Sequence, residues 1–166
     1  VRISNIGAST RIENALLTNS EINWIDTILT KDGKVSAFNE YKDIIQNKLS
    51  KDRERSIEEV AGCRSMLHLI YEQGKDFIPL TETVIKALHY ELMSPYSKSG
   101  PYIGVYKKNP NYVVEQNQIS NKSRIIFKTA DAGPMTEVAM KDLVEWYNKS
   151  IDLEPWTFAV ASEFVY

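Results

Sequence analysis

The stretch from Ser56 to Gly74 constrains this chain more than any other. Ile57, Val60, Ala61, Leu67, Ile70 and Tyr71 recur at helical spacing over about five turns, which predicts a central core helix. Ser56 and Glu59 are placed like the two arms of a capping box, and Gly74 closes the segment. A helix of that length has to be packed from several sides, so the remaining apolar segments must supply its neighbours, and most of them carry the same period. Thr18 and Glu21 form a further capping box ahead of Ile22, Ile25 and Leu29, with Asp32-Gly33 as the expected stop. Phe38, Tyr41, Ile44, Ile45 and Leu49 mark a helical fragment, and Lys51 to Arg55 read as a solvated charged connection. Thr81 opens a helix carrying Val84, Ile85, Leu88, His89 and Leu92. Pro134 starts another, with Val138, Leu143, Trp146 and Tyr147 inward. Pro155 suits the first turn of a last one, Trp156 to Tyr166, whose two apolar sides would be sticky if left uncovered.

The texture changes between Ser94 and Gly133, where Pro95, Gly100, Pro101, Gly104 and Pro110 interrupt any helix. Tyr112-Val113-Val114-Glu115 and Arg124-Ile125-Ile126-Phe127 are β-rich runs joined by a polar loop, which predicts a hairpin. The fold class expected is therefore mainly α, a helical bundle with one β-hairpin.

Composition narrows the function classes. With 25% charged residues and a formal net charge of −2, the chain lacks the basic excess of a general nucleic-acid binder. A single cysteine, Cys63, excludes an internal disulfide and reads as a small buried hydrophobe. Two histidines and one cysteine are too few soft ligands for a zinc site, so His68 and His89 read as core or boundary residues. No run of apolar residues is long enough to span a bilayer, and no signal-peptide pattern occurs, which makes the cytoplasm the expected location. The chain opens on Val and closes on an apolar segment, so both ends are expected to be cut.

Near the start lies Ser9-Thr10-Arg11-Ile12-Glu13-Asn14. The spacing predicts a helical turn with Ile12, Ala15 and Leu16 on one buried face and Glu13 at its rim. By spacing alone Glu13 is a solvated surface carboxylate. Ser9, Glu13 and Asn14, however, match the three defining positions of Ser/Thr-x-x-x-Glu-Gly/Asn, and the chain thereby resembles Fic-family proteins whose inhibitory helix precedes the catalytic core. Further segments resemble the same family in the same order: Pro79 to His89, ending in Leu-His; Gly104-Val-Tyr-Lys107 with Asn109-Pro-Asn-Tyr-Val113; Pro134 to Trp146; and Trp156 to Tyr166, with Glu163 where many members carry His. The family's signature, His-x-Phe-x-Asp/Glu-Gly-Asn-Gly-Arg, does not occur in these 166 residues.

The resemblance implies a Fic-like helical bundle, with residues 1–17 as the inhibitory segment and 18–166 as the N-terminal part of one core domain. It implies a protein adenylyltransferase using ATP and Mg, which moves AMP to a Ser, Thr or Tyr hydroxyl of a protein substrate. No catalytic or metal residue is assigned in this chain; the catalytic His is expected a few residues beyond Tyr166. Glu13, with Ser9 and Asn14, would be inhibitory by occupying an arginine that the γ-phosphate needs. The hairpin strands, Tyr112 to Glu115 and Arg124 to Phe127, would be the flap that holds the target segment by strand addition. Two other readings stay open: a non-catalytic helical module docking partners on the hairpin edge, and a relative transferring another phosphate-bearing group. A homodimer stays open too.

Overall fold

Most of the helical spacings in the sequence become helices. The computed structural model describes residues 2–12, 15–31, 34–35, 37–49, 53–116 and 122–151. In chain order these form α1 (Arg2–Ile12), α2 (Asn19–Ile28), β1 (Thr30–Lys31), β2 (Lys34–Val35), α3 (Phe38–Leu49), α4 (Glu54–Gln73), α5 (Glu82–Met93), β3 (Tyr112–Gln116), β4 (Ser123–Lys128) and α6 (Pro134–Ser150). The described residues are thus mainly helical, with two small antiparallel pairs, β1–β2 and β3–β4. The expected helix over Trp156 to Tyr166 lies outside the described residues. The chain divides into two compact units, one of Val1–Phe77 with Thr83–Gly104, the other of Ile78–Glu82 with Val105–Tyr166.

In the first unit α4 is the axis, and α1, α2 and α3 all pack against it. Every residue from Ser56 to Arg64 is buried, whichever side of the helix it occupies. Ile57 and Val60 meet Ile6 of α1, Ile22 and Ile25 of α2 and Ile45 of α3 in one hydrophobic cluster. Each such side chain contributes about 1.5–3 kcal/mol by leaving water. The Thr18 box forms as its sequence predicts, the Thr18 N–H donating to Glu21 Oε2 at 2.7 Å and the Glu21 N–H to Thr18 Oγ1 at 3.3 Å.

Val138 of α6, expected inward, is exposed, and four local expectations change in the first unit. First, Ile12 and Leu16 are exposed while Ala15 and Leu17 are buried. The buried positions of α1 are Ile6, Gly7 and Thr10, and the helix stops at Ile12. Residues 15–18 are not helical, so alternate side chains turn inward there. Second, Ser56 does not cap α4, which starts at Glu54; its Oγ accepts the Leu16 N–H at 3.0 Å, and Glu59 pairs with Arg55 at 2.9 Å. The presumed solvated run contains a clamp: Arg53 donates to both Glu21 carboxylate oxygens, at 2.7 and 3.0 Å, and to the Leu16 carbonyl. Third, α2 ends at Ile28 with Leu29 as its C-cap, and Thr30–Lys31 pairs with Lys34–Val35. Asp32-Gly33, the expected stop, lies outside the described residues. Fourth, Tyr71 is half exposed, because its hydroxyl reaches the surface to accept from Asn5 Nδ2 at 2.8 Å.

Two predictions follow from this packing. A Cβ built on Gly62 would lie 1.9 Å from the Leu92 carbonyl oxygen of α5, so Gly62→Ala must push backbone from backbone. The expected loss is about 1–3 kcal/mol or more, read as a lowered midpoint in thermal unfolding. The Arg53 guanidinium, with the Thr18 N–H, lowers the Glu21 carboxyl to about 2. A carboxyl depressed on folding stabilises above its unfolded value near 4.5, and that contribution is lost as pH falls toward 2. Glu21→Gln should flatten the pH dependence of the melting temperature between pH 5 and 2; an unchanged slope would exclude the clamp as its source.

Candidate functional site

The strands β3 and β4 coincide with the two predicted β-rich runs and extend each by one or two residues. Their register sets Tyr112 opposite Lys128, Val113 opposite Phe127, Val114 opposite Ile125 and Glu115 opposite Arg124. Alternation puts Val113, Glu115, Arg124 and Phe127 on one face, and Tyr112, Val114 and Ile125 on the other. The step from Val113 to Val114 crosses two residues of β4, leaving Ile126 as a bulge without a partner. Both faces are exposed along both strands. An apolar hairpin this open is marginal alone. Arg124 meets Glu115 at 2.8 Å and Lys128 meets Asp131 at 2.9 Å, but these pairs are exposed and contribute little.

The base of the hairpin supplies the order its faces do not. The Thr129 hydroxyl donates to the Asn111 carbonyl at 2.9 Å and accepts from the Lys107 ammonium, which also donates to Asn111 Oδ1 at 2.7 Å. Next along the chain, the Tyr106 hydroxyl donates to Glu82. Burial first, and then that carboxylate, push the Tyr106 phenol up to about 12, so it stays a neutral donor. Asn148 of α6 brackets Leu80 in the same unit: its Nδ2 donates to the Leu80 carbonyl at 2.8 Å and its Oδ1 accepts the Leu80 N–H at 2.7 Å.

Ser9 is exposed near the end of α1, in the first unit. Glu13 and Asn14 lie outside the described residues. His89 is a satisfied boundary residue, its Nδ1 accepting the Gly104 N–H at 3.0 Å. Gly104 has φ +65°, a left-handed conformation that favours glycine, and a Cβ there would approach the Lys86 carbonyl at 3.3 Å.

Sequence reasoning missed two polar clusters. Arg64, 1% exposed, donates from Nε to Asp26 Oδ1 at 2.6 Å and from Nη2 to the Thr30 hydroxyl. Glu58 is also buried: its Oε1 accepts from Lys42 at 3.1 Å and from the Ser97 N–H at 3.2 Å, beside a 340 Å³ cleft lined by Glu54, Arg55, Tyr96 and Lys98. Lys42 also meets Glu54 at 3.0 Å, and that carboxylate, with Glu58, raises its ammonium. The signal for the first cluster was Arg64, a charged residue on the apolar stripe of α4; Glu58 lies off that stripe and carried no such signal.

Among the described residues no helix is long and apolar enough to cross a membrane, and no three His, Cys, Asp or Glu side chains converge as a metal site. Compared with protein-family models, curated proteins and solved structures, the chain finds no match.

Thr129→Val keeps the side-chain shape but removes the hydroxyl at the hairpin base. Amide exchange over Tyr112–Gln116 should quicken roughly tenfold, the scale of one or two lost hydrogen bonds. Unchanged exchange would show that the base does not hold the strands.

Proposed function

We propose that this chain is the regulatory and scaffold portion of a Fic-type protein adenylyltransferase, which transfers AMP from ATP to a protein hydroxyl in the cytoplasm. The observation that carries the reading is the β3–β4 hairpin. It falls in the chain where the resemblance puts a flap, between the Leu-His helix α5 and the Pro134-led helix α6. Its two outer edges have no strand partner among the described residues. A two-stranded sheet with free edges suits capture of an extended target segment, main chain to main chain. The His89–Gly104 hydrogen bond adds support, because it joins two segments that resemble the family independently.

On this reading ATP and Mg are held by a catalytic loop outside these 166 residues, and no residue of this chain is assigned to the metal. When bound, the metal would neutralise phosphate charge, and this chain's part is to present the target and to restrain the reaction. Glu13 supplies the restraint. A carboxylate forms a strong bidentate pair with an arginine, and an arginine so occupied is lost to the γ-phosphate. ATP then sits misaligned for in-line transfer.

The half-exposed apolar side chains of both hairpin faces also favour a second reading, a non-catalytic module that docks partners. One experiment separates the two. Glu13→Gly in the longer protein should raise automodification with α-phosphate-labelled ATP, because the arginine is then free for the γ-phosphate. An unchanged rate at equal folded fraction would overturn the inhibitory role, and no incorporation by either form would favour the docking module.

A further inference from the structure

The hairpin has two edges, and they are not equivalent. β3 is a regular five-residue strand, Tyr112–Gln116, about 17 Å long. β4 is interrupted at Ile126, where the register slips between Val113–Phe127 and Val114–Ile125. A bulge bends its strand and breaks the alternation of outward N–H and C=O groups. An added strand could therefore match β4 only over Ser123–Ile125 or over Phe127–Lys128. Arg124 and Lys128 charge that same strand, and lysines, charges and bulges are the devices that blunt an edge against pairing.

We infer that the docking edge is the outer edge of β3, and that its occupant is an extended segment of another protein with apolar β-branched residues next to a basic one. The inference rests on the strand-addition reading above and decides which edge it uses. The charge requirement comes from Glu115, the acidic residue of β3, whose side chain is 59% exposed even while it pairs with Arg124. A residue of the added strand opposite Glu115 is favoured if cationic and disfavoured if anionic. Val113 and Val114, each 49% exposed, offer apolar area on opposite faces, one to each alternating set of incoming side chains.

The test uses the full chain with valine and isoleucine amides labelled for NMR, since Val113 and Val114 report on β3 and Ile125 and Ile126 on β4. The probe is an acetylated pentapeptide amide of threonine and valine with lysine at its centre, beside the same peptide with glutamate there. The lysine peptide should shift the Val113 and Val114 amides more than those of Ile125 and Ile126, and bind about 1.5- to 5-fold more tightly than the glutamate peptide. Glu115→Lys should reverse that preference. Larger shifts at Ile125 and Ile126 would overturn the edge assignment while leaving strand addition standing. Equal affinity for both peptides would overturn the charge requirement. No shift at either strand would remove the strand-addition reading and this inference with it. Shifts of the valine amides with protein concentration alone would make the occupant a second copy of this chain.

Discussion

The Arg64–Asp26 ion pair is the constraint on which the first unit depends. A guanidinium 1% exposed inside a helical core must be paired, and leaving such a charge without its partner costs about 3–5 kcal/mol. Asp26 Oδ1 and the Thr30 hydroxyl supply the partners from the end of α2 and from β1. The pair therefore fixes how α4 sits against α2, and it sets where α2 gives way to a strand. Among the described residues one guanidinium nitrogen, Nη1, has no hydrogen-bond partner.

Around that pair the buried half of α4 organises its neighbours through backbone as much as through side chains. Gly62 admits the Leu92 carbonyl of α5 to a distance that any Cβ would forbid. Ser56 takes the Leu16 N–H and Arg53 takes the Leu16 carbonyl, so one residue outside any helix is held from both sides. Both bonds lie in the segment of residues 15–18, which is not helical and lies between α1 and α2.

The second unit follows a different logic. Its hairpin is ordered at the base, through Thr129, Lys107 and Asn111, and open along its length. A surface meant to be buried inside the same chain would show alternation, apolar on one face and polar on the other. Here Val113 and Phe127 share a face with Glu115 and Arg124, and Val114 and Ile125 lie on the other. Apolar groups lie on both faces, and neither outer edge has a strand partner among the described residues.

Sequence alone determined most of the helices and their spacing. Ile22, Ile25 and Leu29, the Thr18–Glu21 cap, and the two strands of the hairpin stand where their periods put them, because local propensity and burial agree there. The Ser9, Glu13 and Asn14 assignment was legible only as a resemblance, and two of its three residues lie outside the described structure. Tertiary structure decided what local pattern could not. Ser56 has the spacing of a cap but accepts a hydrogen bond from Leu16, forty residues earlier in the chain. Arg53 has the company of a solvated charge run but closes on Glu21, and Glu58 and Arg64 are charged yet buried. Whether a polar group faces water or a partner depends on residues far away in sequence, and neither period nor propensity carries that information. The bulge at Ile126 is of the same kind: the composition of each strand was visible, but the slip that makes the two edges unequal exists only in their pairing.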